Sequence, residues 1–301
     1  MKNRFRILVT AYLAVVAMAC QQMPEDSPES RGTVSLKVKA TTVETGEVNE
    51  WEEGISSDIT MEGVQAKSRA GQEAVTRMAF VLINGEGEKV LAQESSSDED
   101  DFAVLEAEIP AGDYTLIAFG HNGTVDAVIN TNKTIDGSGE KLTDSFLYSQ
   151  DLSLTQDTEE KSIVLNRCVA KVSIKHTDAI PSIAKTIELI VTGGGNVLDA
   201  TTGLAVSTTA QKSVIQIPAS AVGKKNNTFS LYTFLPSEEC EVNATVVVKN
   251  ADGEVISSQT VEDIPVEINM QTVCSGTLFD TSSSVTATVN SEWKQTTEIS
   301  F

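Results

Sequence analysis

At 301 residues the chain suggests about two domains by size, and 22 Lys and Arg against 43 Asp and Glu give a formal net charge of −21. With no basic patch to displace counterions from phosphates, nucleic acid is disfavoured as a partner. The acidity reads as a solvated surface, and an aromatic content of 5% leaves few rings for a sugar-binding platform.

Met1-Lys2-Asn3-Arg4-Phe5-Arg6 is a basic opening, followed by a mostly apolar run at 7–19. That run is too short to span a bilayer and suits a secretory signal. It ends in Ala17-Met18-Ala19-Cys20, which resembles the lipobox of bacterial lipoproteins, with Ala17 where that pattern prefers Leu. The resemblance implies a signal peptide at 1–19 and lipidation at Cys20; residues 20–32 then read as an acidic tether rich in Ser, Pro and Glu. Cys168, Cys240 and Cys274 remain. Three thiols close one disulfide at most, and each is expected to be a buried packing residue.

Residues 33–40 alternate apolar and polar, which predicts a half-buried strand with Val34, Leu36 and Val38 inward. Regularity lapses over 45–72, an acidic, glycine-dotted stretch holding Trp51 and Arg69; long loops of this kind tend to be functional or disordered. The run 78–83 (Met-Ala-Phe-Val-Leu-Ile) is apolar at every position and predicts a strand buried on both faces. Asn84-Gly85-Glu86-Gly87 is a tight-turn signal, and Pro110-Ala111-Gly112-Asp113 is a second, ahead of an apolar strand at 114–119. Residues 93–101 are expected as a solvated loop, with weaker strands at 126–134 and 146–154.

A polar break at 156–161 is taken as the domain boundary. One long strand is expected over 162–174, then strands at 187–192, 214–217, 228–235, 242–249, 255–261, 266–270 and 276–279. Asn250-Ala251-Asp252-Gly253 reads as a hairpin turn. Spacing near 8–12 residues per strand, without a convincing helical period, predicts an all-β chain of two tandem β-sandwich domains, 33–158 and 159–301.

Catalytic signals are weak. The two histidines, His121 and His176, belong to no metal-ligand spacing, and no Gly-x-Ser-x-Gly elbow is present. Carboxylates cluster in loops, and Gly193-Gly194-Gly195 lacks the Lys and helix of a phosphate loop. The expectation is a non-enzyme without metal or cofactor.

Several stretches together carry a family resemblance. They are the lipobox at Cys20, the strand at 33–40 with its Arg-containing loop, Met78-Ala79-Phe80-Val81 with its turn, and Ile109-Pro110-Ala111-Gly112-Asp113-Tyr114-Thr115-Leu116. In the second half they are Leu165-Asn166-Arg167-Cys168-Val169-Ala170-Lys171-Val172 and Cys274-Ser275-Gly276-Thr277-Leu278-Phe279. They resemble the FimA/FimB fimbrillin superfamily of type V pilus subunits. The resemblance implies two transthyretin-like sandwiches and export as an outer-membrane lipoprotein at the cell surface. It also implies assembly with other fimbrial subunits by β-strand exchange. In polymerising members an Arg-specific protease removes the first strand, and a neighbour's C-terminal strand fills the groove.

Mapped onto this chain, Arg69 is the candidate cleavage point. The candidate donor strand is the alternating stretch carrying Val285, Ala287 and Val289, with Trp293, Ile299 and Phe301 beyond it. The opposing reading is that this stretch closes its own sheet. An anchor or accessory lipoprotein supporting adhesion to a host or bacterial surface ligand is the leading expectation. A stalk subunit cut at Arg69, a glycan-binding surface lipoprotein and an outer-membrane hydrolase are the alternatives.

Overall fold

In the computed structural model the described residues are 32–42, 75–137, 141–155, 159–279 and, as backbone only, 285–290. Nineteen strands and one three-residue 3-10 turn, Ala219–Ala221, make up their regular structure, so the protein is all-β.

The first sandwich uses β1 (Thr33–Thr42), β2 (Arg77–Asn84), β3 (Lys89–Ser96), β4 (Val104–Pro110), β5 (Gly112–His121), β8 (Ser145–Leu154) and β9 (Glu159–Arg167). They form a continuous sheet in the order β3-β2-β5-β8-β9-β1-β4. Only Phe146↔Arg167 and Leu147↔Asn166 join β8 to β9, so the sheet folds there and its two halves face each other. Between them lies a core containing Val34, Leu36, Val38, Phe80, Leu82, Leu116, Phe146 and Leu165.

The apolar run on β2 has two destinations. Met78, Phe80 and Leu82 enter this core, while Ala79, Val81 and Ile83 enter another. β5 divides likewise, with Leu116 and Ala118 on one side and Ile117 and Phe119 on the other. A strand covered on both faces has no reason to alternate. Covering the outer face is a small sheet of β6 (Val128–Ile129), β7 (Thr134–Asp136), β12 (Val197–Asp199) and β13 (Leu204–Ala205). Its Ile129, Ile135 and Leu198, together with Phe234, complete that second core.

The second sandwich packs two four-stranded sheets. One is β15 (Thr228–Thr233), β10 (Ala170–His176), β18 (Gln271–Gly276) and β19 (Val285–Asn290). The other is β14 (Gln211–Gln216), β11 (Thr186–Thr192), β16 (Glu239–Lys249) and β17 (Val255–Glu267). Val172, Ile174, Leu189, Leu231, Val246 and Cys274 are among the residues between them.

The turn readings hold in detail. Asn84 Oδ1 accepts the amides of Glu86 and Glu88 at 3.1 and 2.8 Å. Asn250 Oδ1 accepts those of Asp252 and Glu254 at 3.0 and 2.9 Å. Gly87 and Gly253 both sit at φ 81°, the left-handed value that closes such loops.

Other expectations change. The strand expected over 162–174 is two strands in different sandwiches: β9 pairs in parallel with β1, whereas β10 pairs with β15 and β18. The change of sandwich therefore falls after Arg167, not at 156–161. No Gly or Pro marks the break, because the Cys168 amide bonds Ser145 O and the Val169 carbonyl accepts from Asn269. The expected loop at 93–101 begins inside β3, an edge strand paired only with β2 and largely exposed, so it carries no apolar pattern. The strand expected at 255–261 runs on to Glu267 as the single β17, the remainder of the one expected at 266–270 is a turn, and the strand expected at 276–279 lies earlier, as β18. Pro265 interrupts the pattern without ending the strand, since β17 lies at a sheet edge.

Candidate strand-exchange site

β1 is an internal strand. It pairs antiparallel with β4 from Thr33↔Pro110 to Lys39↔Val104, and parallel with β9 from Leu36↔Glu159 to Thr42↔Leu165. The alternation read from the sequence fixes which side chains point inward: Val34, Leu36 and Val38 are at most 1% exposed. Each such burial contributes about 1.5–3 kcal/mol. On the opposite face Lys37 Nζ donates to Glu106. That contact lowers the Glu106 carboxyl below its ordinary range and raises the Lys37 amine, but both groups lie at the surface. The pair positions side chains more than it stabilises. Lifting β1 out would leave a slot between β4 and β9, open to backbone pairing on both sides and floored by the core. Chain 43–76, including Arg69, joins β1 to β2.

In the second sandwich β19 lies on the edge of its sheet, antiparallel to β18, with Gly276↔Val285, Cys274↔Ala287 and Thr272↔Val289 in register. Val285, Ala287 and Val289 thus belong to a strand that closes its own sheet. Trp293, Ile299 and Phe301, like Cys20 and Arg69, lie outside the described residues.

A buried clamp, invisible in the sequence, fastens the chain just ahead of β19. Asp178 accepts the backbone amides of Leu278 at 3.0 Å and Phe279 at 2.7 Å. Asp178 O lies 2.7 Å from His176 Nδ1, and the Asn227 amide donates to His176 Nε2 at 3.2 Å. With Nε2 accepting, the imidazole is neutral and carries its proton on Nδ1. The ring is 0% exposed, stacked on Phe229 and edge-on to Phe279. Burial pushes its pKa below the ordinary value, against the raising effect of Asp178. Ser257 Oγ secures the Leu278 carbonyl at 2.6 Å. His121 has a different local task, its Nδ1 accepting the Gly123 amide at 3.0 Å.

Cys168, Cys240 and Cys274 are free thiols, two buried and Cys240 half-buried. Burial pushes the Cys274 thiol up to about 12 and raises Cys168, where the Asp144 charge adds to the effect. Between the sandwiches Arg167 holds Asp144 through Nε–Oδ1 at 2.6 Å and Nη2–Oδ2 at 2.9 Å. Its Nη1 donates to Asn269 at 2.8 Å, and its guanidinium lies 4.8 Å from the Phe146 ring centroid.

A family model described as a family of unknown function, DUF6562, matches residues 125–300, more than half of the chain. No curated protein matches. Among solved structures, an adhesin candidate from Bacteroides ovatus is 12% identical with a TM-score of 0.48, covering 82% of this chain and 88% of its own. The fimbrial anchor protein Mfa2 from Porphyromonas gingivalis is 12% identical with a TM-score of 0.42, covering 81% and 90%. A fimbrial assembly protein from Parabacteroides distasonis is 12% identical with a TM-score of 0.43, covering 89% and 100%. By the extent of the family match, the chain belongs to the DUF6562 family.

Proposed function

We propose that the protein is a fimbrial subunit of the anchor or accessory kind. It is held at the outer membrane through a lipid on Cys20, is joined to other subunits by β-strand donation, supports adhesion, and is not an enzyme. The observation that carries the reading is the setting of β1. It is hydrogen-bonded on both edges, keyed by three alternate side chains, and tethered through a stretch that holds Arg69. A strand held in this way is replaceable by another of like alternation, the physical basis of β-strand addition. In the anchor reading this chain keeps its own β1 and donates residues 285–301 to the slot of a processed neighbour.

The test is co-expression with partner subunits, followed by SDS-resistant laddering and size exclusion. Deleting 285–301 is expected to leave a folded protein that no longer joins the ladder, and Arg69→Ala to leave assembly unchanged. Loss of assembly in Arg69→Ala would instead indicate a processed stalk subunit. An assembling deletion variant, or one that does not fold, would remove the donor role.

A further inference from the structure

At the end of the second sandwich where β16 begins and β17 ends, an open groove of about 490 Å³ is lined by Glu239, Cys240, Glu241, Pro265, Val266, Glu267, Met270 and Thr272. Its character is two-sided. Val266 and Thr272 are buried and Cys240, Pro265 and Met270 half-buried, while Glu239, Glu241 and Glu267 are exposed. The floor is fixed, with Thr272 Oγ1 donating to Pro265 O at 2.7 Å. Such a slot suits an apolar side chain with a cation beside it.

β19 ends with Asn290 opposite Gln271, so the next position in register is opposite Met270, at the lip of the groove. Residue 293 lies three residues further on, within about 10 Å of chain reach. The sequence there is Ser291-Glu292-Trp293-Lys294, an aromatic ring next to a lysine. We propose that the C-terminal tail docks in this groove of its own molecule, with Trp293 against Pro265, Val266 and Met270 and Lys294 facing Glu239, Glu241 and Glu267. This deepens the fimbrial reading, since the tail held in cis is the segment that reading makes the donor. Docking would cover the apolar anchor until a partner slot competes for it, and would make donation an exchange of one site for another.

The experiment uses the full mature chain without any partner, so its outcome is separate from that of the assembly assay. Trp51 and Trp293 are the only tryptophans, and Trp51→Phe leaves Trp293 as the sole reporter. In that background Trp293 is expected to emit at a blue-shifted wavelength, with an acrylamide quenching constant several-fold below that of the urea-unfolded chain. The protection should be independent of protein concentration. Met270→Lys and, on the tail itself, Lys294→Glu should each restore red-shifted, readily quenched emission. If Met270→Lys misfolds, Lys294→Glu decides, because it leaves the sandwich untouched. Emission as exposed as in urea overturns the proposal. Protection that grows with concentration alongside a dimer also overturns it, assigning the groove to a second copy. Protection indifferent to both substitutions places Trp293 elsewhere and overturns it as well.

Discussion

Two buried polar groups set the chemistry at the residue scale. His176 is held neutral by its surroundings, with its folded pKa lowered by burial. In the unfolded chain an ordinary histidine takes up its proton near pH 6.5. Below that pH the unfolded state binds the extra proton, so stability is fully present above about pH 6.5 and falls as pH drops from there toward the lowered folded value. Urea unfolding at pH 7.5, 6.5 and 5.5 should show this loss, and His176→Phe should flatten the dependence in that window. An equal slope in both proteins would remove His176 from the account. Arg167 and Asp144 form the second group, with side chains 5% and 11% exposed. Asp144→Ala leaves a guanidinium buried without its carboxylate and should cost about 3–5 kcal/mol by chemical denaturation. Glu106→Ala, at the surface pair with Lys37, should leave the unfolding midpoint almost unchanged, because solvent screens the pair. The thiols follow from burial as well. In a Cys20→Ser protein never exposed to reductant, three thiols should titrate on unfolding, and Cys240 should react first in the native state.

At the scale of the element, what the sequence reveals depends on how local the cause is. The β2 run, both Asn-x-x-Gly turns and the inward set on β1 follow from adjacent residues, and all are present as read. β3 gives no such signal because one edge and much of its surface meet water. The β9–β10 break stays hidden because its pairing partners, Ser145 and Asn269, lie far away in sequence. The same distance hides the clamp, in which Asp178 binds amides one hundred residues downstream. β19 is an edge strand, so deleting it exposes one side of β18 while β18 keeps its pairing with β10. The backbone bonds lost are worth about 0.5–1.5 kcal/mol each. Removing 285–301 should therefore lower the unfolding midpoint in urea while a single cooperative transition persists.

For the whole molecule, the two sandwiches are joined by a shared core that includes Ile117 and Phe119 from the first sheet and Leu198 and Phe234 from the second half. That core and the Arg167 bridge brace the joint between the sandwiches. The slot at β1 lies in the first sandwich, the tail leaves the second, and in the anchor reading only the tail is donated. The most direct measurement is the intact mass of the protein recovered from outer membranes, with its first residue identified. A mature chain beginning at Cys20, acylated and still carrying β1, is the predicted result. A lipid-free chain beginning at Ala70 would contradict it and make this a processed stalk subunit.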